Sequence, residues 1–361
     1  MSTGPGATAR SARSARPSLR PFVLWLAAFY ACWLALVLTG DRWALARAHW
    51  PIAVAMSLGS YVAGSTPMGG GTIGFPILVL LFDQPASVGR GFSFAVQSIG
   101  MTSASIFVLS RRQPLAWGLL GPALLGSLVG TPLGLLLLAP RVPDVWVKLV
   151  FAAVWASFGL MTLVKVREMA GYQGVWRPPL GAERALGLGI GLFGGACVAA
   201  LTGVGIDMLI YTALVLVCRC DLKVAIPTSV VLMAWTSLVG VGAGQLLCAL
   251  DPLRYPIDRE VFGNWLAAAP IVALGAPLGA FVVERVGRVP TLLFVAVLCL
   301  LQLPWTAWDA GLSPAQLAWA AGGVLAANAG FHLVYALSPA RRADASSAET
   351  PGRAQAHQHP G

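Results

Sequence analysis

Charge is what this chain most lacks. Asp, Glu, Lys and Arg make up 11% of its 361 residues, against about 25% in a soluble domain. Histidine is nearly absent: His49, His332, His357 and His359 are the full set, and none stands beside an acid at a useful spacing. An intramembrane hydrolase would need paired acids, a Ser/His arrangement or HExxH, and an ATP-driven pump would need GxxxxGK[ST]; none is present. Period-2 alternation is missing too, which argues against a membrane β-barrel. The six cysteines (Cys32, Cys197, Cys218, Cys220, Cys248, Cys299) fall within or beside apolar runs, the usual place for inert thiols. Cys218 and Cys220 are the only close pair, and no His or acidic cluster completes a metal site around them. No catalytic residue, cofactor or metal is expected.

Apolar sequence fills the space that charge leaves. Hydrophobic residues are 57% of the chain. Charge-free runs cover 22–40, 51–82, 91–110, 113–140, 149–164, 185–206, 224–250, 261–283, 289–308 and 310–340, apart from Asp207 just past the sixth. Several reach the roughly 20 residues a helix needs to cross a bilayer. The fold class is an all-α polytopic membrane protein, with lipid as its constant partner. A net charge of +10 does not signal nucleic acid, because the basic residues lie between the apolar runs rather than in one patch. Several of the thirteen tryptophans (Trp25, Trp43, Trp50, Trp117, Trp146, Trp265, Trp305, Trp319) stand near run ends, as interfacial belts require; others fill the interior.

One apolar run interrupts itself. Residues 65–76 read STPMGGGTIGFP, and LTGVGIDML follows at 201–209. Each run is expected to form a hairpin that enters and leaves by one face. Residues 1–20 then make a disordered basic tail, 21–40 the first transmembrane helix, 51–166 repeat 1, 185–308 repeat 2, 310–338 the last transmembrane helix and 339–361 a second disordered tail. With the N-terminus inside, cytoplasmic segments hold 17 of the 24 Lys and Arg, and both termini are cytoplasmic. If both broken runs crossed once, the split would fall to 14 against 10. The positive-inside bias favours the hairpins.

A shift of 134 positions lays Gly69 and Gly71 on Gly203 and Gly205, and Thr102-Ser103 on Thr236-Ser237. A shift of 145 lays GTPLG (130–134) on GAPLG (275–279). The expected architecture is two inverted repeats, each a glycine-broken hairpin followed by three helices, an arrangement characteristic of secondary transporters. A break in hydrocarbon exposes backbone groups, so it persists only where it is packed or lines a polar cavity. Half-helices starting near Thr72 and Asp207 would aim free N–H groups inward and offer an anion site. Gly69, Gly70, Gly71, Thr72, Gln97, Thr102, Ser103, Gly203, Gly205, Thr236 and Ser237 are therefore the candidate substrate-binding residues for a small anionic solute. Each hydroxyl is also an ordinary interhelix hydrogen-bonding group. Gln97, with Ser93 a turn below, lines the cavity or bonds a neighbouring helix; Thr228-Ser229 cap a helix start or line a vestibule. Asp207 is the only charge between Arg184 and Arg219. It either couples transport to a proton or a cation such as Na⁺, or caps the half-helix 208–218.

The breaks PMGGGTIGFP and LTGVGIDML, each followed by a hydroxyl-bearing helix (GFSFAVQSIGMTSAS and KVAIPTSVVLMAWTS), resemble the TauE/SafE sulfite-exporter family, also called the toluene-sulfonate uptake permease family. The resemblance covers roughly residues 51–308. It implies a bacterial inner-membrane permease for sulfite or organosulfonates and no catalytic residue. GVGID departs from the glycine-rich second break of usual members, which leaves the substrate and the coupling ion open. An anion channel and a membrane scaffold without transport are the competing readings, and direction and oligomeric state stay open.

Overall fold

A computed structural model of the chain describes residues 18–172, 179–286 and 288–337. The helices are α1 (Arg20–Thr39), α2 (Trp43–Ala48), α3 (Trp50–Ser65), α4 (Gly71–Pro76), α5 (Ala86–Ser110), α6 (Trp117–Leu137), α7 (Asp144–Ala170), α8 (Leu180–Phe193), α9 (Ala200–Thr202), α10 (Ile206–Thr212), α11 (Leu222–Leu250), α12 (Arg259–Val286), α13 (Arg288–Asp309) and α14 (Pro314–Leu337). Among the described residues there is no strand. Eight helices are long and apolar enough to cross a bilayer, so the protein is an all-helical polytopic membrane protein. The first transmembrane helix starts at Arg20, the last helix spans Pro314–Leu337, and the helix closing the first half runs four residues past 166. Residues 1–17 and 338–361, which hold nearly all of both expected tails, lie outside the described residues.

Both glycine interruptions are real gaps between antiparallel arms. On α3, Met56 lies against Gly74 and Gly70, while Gly59 and Ala63 lie against Gly70. The neighbour thus moves backwards along α4 as α3 advances. In the second run Gly194 sits against Leu209 and Ile206, and Val198 against Gly205, again in reverse order. Neither return arm, Gly71–Leu81 or Ile206–Val217, is long enough to span a bilayer. The free ends of the two hairpins lie at opposite ends of α7. The Ala86 amide, just after the first, donates to Asp144 Oδ2 at 3.0 Å. The Arg219 guanidinium, at the end of the second, stands 5.6 Å from the Tyr172 ring centre. Between them α7 is 27 residues long, about 40 Å at 1.5 Å per residue.

The two return arms share a backbone grammar. Each is a short α-helix that widens into a five-residue π turn, Ile77–Leu81 and Ala213–Val217. Phe82 N–H donates to Ile77 O and Gln84 N–H to Leu78 O; Cys218 N–H donates to Ala213 O and Cys220 N–H to Leu214 O. Asp83 and Arg219 both take a left-handed φ, 50° and 45°. Then α5 begins at Ala86 and α11 at Leu222. Each of these pairs is 136 residues apart, not the 134 that the glycines suggest. In this register Thr102-Ser103 match Leu238-Val239, and Thr236-Ser237 match Gly100-Met101. The two hydroxyl pairs are not equivalents.

Each half clasps the hairpin of the other. Gly126, Gly130 and Gly134 on α6 lie so close to the backbone of α8 and the turn after it that a Cβ on any of them would overlap a carbonyl or amide. Gly187 and Gly191 on α8 return the contact to Leu119 and Ala123. On the other side Gly275 and Gly279 of α12 press on Ser60 and Tyr61 of α3, and Gly64 meets Ala276. GxPLG is thus a packing motif: its glycines remove side chains from a helix–helix seam. Pro132 and Pro277 sit inside α6 and α12, and the helices continue through them.

Candidate functional site

The two gaps meet at Gln97 of α5. Its Nε2 donates to Ser93 O and to Gly203 O, both at 3.0 Å. Two carbonyl partners fix which end of the amide is nitrogen. Oε1 therefore faces the first gap, where a Cβ on Gly69 would overlap it. A Cβ on Gly71 would overlap Val204 Cγ1 of the second gap and lie 2.9 Å from Ser93 Oγ. The glycines serve different ends in the two gaps. Gly203 and Gly205 adopt φ of +78° and +96°, the region closed to most side chains. Gly69, Gly70 and Gly71 have no positive φ; Gly69 and Gly71 are needed because neighbouring side chains come too close for a Cβ.

Two long helices lock the first gap from behind. Trp155 Nε1 of α7 donates to Thr72 Oγ1 at 3.0 Å, and Gln302 Nε2 of α13 donates to Thr72 O at 3.1 Å. The Trp155 ring also abuts Gly205 and stacks on Phe151 at 4.0 Å between centres. Both residues were absent from the sequence-level set. Gln302, the single amide in the run 289–308, carried a readable signal. Trp155 carried none, since a tryptophan in mid-run reads as filler.

Asp207 is fully buried at this junction. It lies within the first turn of α10, whose N-cap residue is Gly205, so Asp207 is not the cap itself. Its Oδ1 accepts from Met208 N–H at 3.1 Å. The backbone amides of Gly69, Gly205 and Asp207 also face the carboxylate, but none reaches Oδ2 with hydrogen-bond geometry. A Cβ on Gly69 would stand 3.2 Å from that oxygen. The amides proposed for a ligand thus surround the chain's own carboxylate. Four buried polar atoms here have no partner: Ser93 Oγ, Gln97 Oε1, Asp207 Oδ2 and Gln302 Oε1. Three of the four can only accept while Asp207 is ionised.

The remaining hydroxyls divide. Ser103 Oγ accepts from Trp25 Nε1 of α1 at 2.6 Å, which turns it away from the gaps and toward the first helix. Thr102, beside it, keeps an unpartnered Oγ1. It lies five residues past Gln97, about 8 Å further along α5 and on another face. Thr236 and Ser237 are fully buried and both lack partners. Gly240 of α11 packs against the ring of Phe94, and the two helices run in opposite senses, which brings Thr236-Ser237 to the level of Gln97. Thr228 Oγ1 accepts from the Ala116 amide at 3.0 Å and donates to Val224 O, so it closes the start of α6 onto α11. Among the described residues no group of three or more His, Cys, Asp or Glu is placed to hold a metal.

A bundle of bilayer-length helices around two glycine-broken hairpins, with partnerless polar atoms where they touch, is the construction of a membrane transporter. The model of the sulfite exporter TauE/SafE family matches residues 52–304, and the chain belongs to that family. No curated protein and no solved structure matches it.

Proposed function

We propose that the protein is a secondary transporter of a small sulfur anion, sulfite or an organosulfonate, and that Asp207 couples its movement to a proton. The two halves act as inverted repeats, residues 51–166 and 185–308, whose gaps form the central site. The observation that carries this reading is the buried, half-partnered Asp207 carboxylate held among the amides of both gaps. An ionised Asp207 occupies those amides. Once a proton neutralises it, the carboxyl needs them less, and an incoming anion can accept from them. Anion and proton then travel together, because each makes the site fit for the other. Ser93, Thr236 and Ser237 supply hydroxyls that add no charge to the hydrocarbon. The gaps touch at Gly71 and Val204, which supports a carrier that opens to one side at a time over a standing pore. The excess of Lys and Arg in the loops of one side supports cytoplasmic termini, and the family supports a bacterial inner membrane.

The test is uptake of labelled sulfite and methanesulfonate into proteoliposomes under an imposed pH gradient. Wild-type protein concentrates the anion when the gradient is present. Asp207→Asn and Asp207→Ser retain exchange of anion for anion and lose the response to the gradient. A gradient response that survives in both variants removes the coupling role.

A further inference from the structure

Arg90 is the one cation on the stretch of α5 that serves the gaps. It precedes Ser93 by three residues and Gln97 by seven, and its own carbonyl abuts Gly203. Its side chain lines a cavity of about 270 Å³ between α5, the end of α6, α11 and the segment leading into α12. Arg254, Gln245, Tyr255 and Asp258 complete the polar part, and Phe94, Val241, Leu247, Ile257 and Val261 much of the apolar part.

The charge balance favours an anion. Asp258 is the only acid in the wall, and its Oδ1 already accepts from Glu260 N–H at 2.9 Å. Asp144, outside the wall, accepts from the Ala86 amide and offsets part of the Arg90 charge without pairing with it, so the wall itself carries two arginines against one acid. Among the described residues Arg90 forms no ion pair. Arg254 leans on the Tyr255 ring at 5.4 Å, a contact that leaves its five donors open to a ligand. Size narrows the class. The volume is close to the lower end of the ~300–1,000 Å³ typical of small-molecule sites, and several times the ~30 Å³ share of one water in the liquid. A bare three-oxygen ion would leave most of the apolar wall wetted. The floor is the contact of the Phe94 ring with Gly240, where a Cβ would come within 2.6 Å of the ring. One turn beneath that contact lie Gln97, Thr236 and Ser237.

We propose that this cavity is a second anion-binding site in series with the central one, in which Arg90 and Arg254 hold the charged head of a small organic anion and Phe94, seated on Gly240, closes the way inward. It rests on the transport reading for its place on a route, and on its own geometry for binding. An anion meets a fixed cation here before it meets the carboxylate at the centre, an order that relieves the repulsion Asp207 would otherwise present.

Binding can be read apart from transport. Benzenesulfonate and sulfite are titrated calorimetrically into the purified full chain in phosphatidylcholine nanodiscs. Wild type binds benzenesulfonate at least tenfold more tightly than sulfite. Arg90→Gln weakens benzenesulfonate tenfold or more, Arg90→Lys restores it to within about threefold, and both variants unfold at the wild-type temperature. Unchanged binding in Arg90→Gln overturns the site and leaves the Asp207 reading standing. Arg90-dependent binding in a protein that moves no anion overturns the transport reading and leaves the site standing. A further titration replaces a third of the lipid with phosphatidylglycerol. Loss of benzenesulfonate binding there assigns the cavity to an anionic lipid headgroup and overturns the proposal.

Discussion

At the scale of single residues, the junction shows why glycine is needed twice for two reasons. Gly203 combines both: a left-handed φ, and a Cβ position 2.5 Å from Arg90 O. Gly203→Ala is expected to destabilise the protein by about 1–3 kcal/mol from backbone strain alone, with the collision added. Gly189, in the middle of α8 with open space around it, is the control. Gly189→Ala should be neutral or stabilising by up to about 1 kcal/mol, because alanine is the better helix former. Thermal unfolding of both variants in one detergent checks the contrast; equal shifts would mean that the φ of Gly203 carries no strain. Asp207 belongs to the same scale. Its neighbours are amides from two gaps that lie far apart in sequence, so no local rule could show that its carboxylate would fill the place expected for a ligand.

Elements carry the topology. Two hairpins with free ends at opposite ends of α7 should be reachable from opposite sides of the membrane. Single cysteines at Gln84 and Asp221, in a chain lacking the exposed Cys32 and the half-buried Cys197 and Cys248, are expected to react with an impermeant maleimide from opposite faces. Labelling of both from one face would refute the opposed arrangement. Much of this level was legible in the sequence. The glycine clusters marked the gaps, and the half-helices begin at Gly71 and Ile206, each within one residue of the expected starts. What misled was register. Matching glycine to glycine gave an offset of 134, but the gaps differ in length, Thr66–Gly70 against Gly203–Gly205, so the helices before them end 137 residues apart and those after them start 135 apart. The π turns and the long helices after them settle at 136, so the glycines could not set the register of the hydroxyls on α5 and α11. Side-chain direction depends on a helix's rotation, and two residues amount to about 200°. Composition cannot resolve that. Trp155 and Gln302 escaped for a related reason: they reach Thr72 from helices whose approach no spacing announces.

For the whole molecule, charge sets the orientation. Seventeen Lys and Arg against seven predict that reporter domains fused to the N-terminus and to the C-terminus both remain on the cytoplasmic side. A reporter exported from one end alone would show that the chain crosses an odd number of times and would return one broken run to a single crossing; export of both would reverse the orientation.

The reciprocal clasp of α6 on α8 and of α12 on α3 has a consequence for synthesis. The first hairpin is finished by Phe82, yet the helix that seals its outer seam starts at Arg259. A ribosome adding about 5–20 residues per second leaves that seam uncovered for roughly nine seconds or more. Throughout that interval the face of α3 that α12 covers stays without its partner, which makes the nascent first half a natural client for whatever shelters unfinished chains at the insertion site.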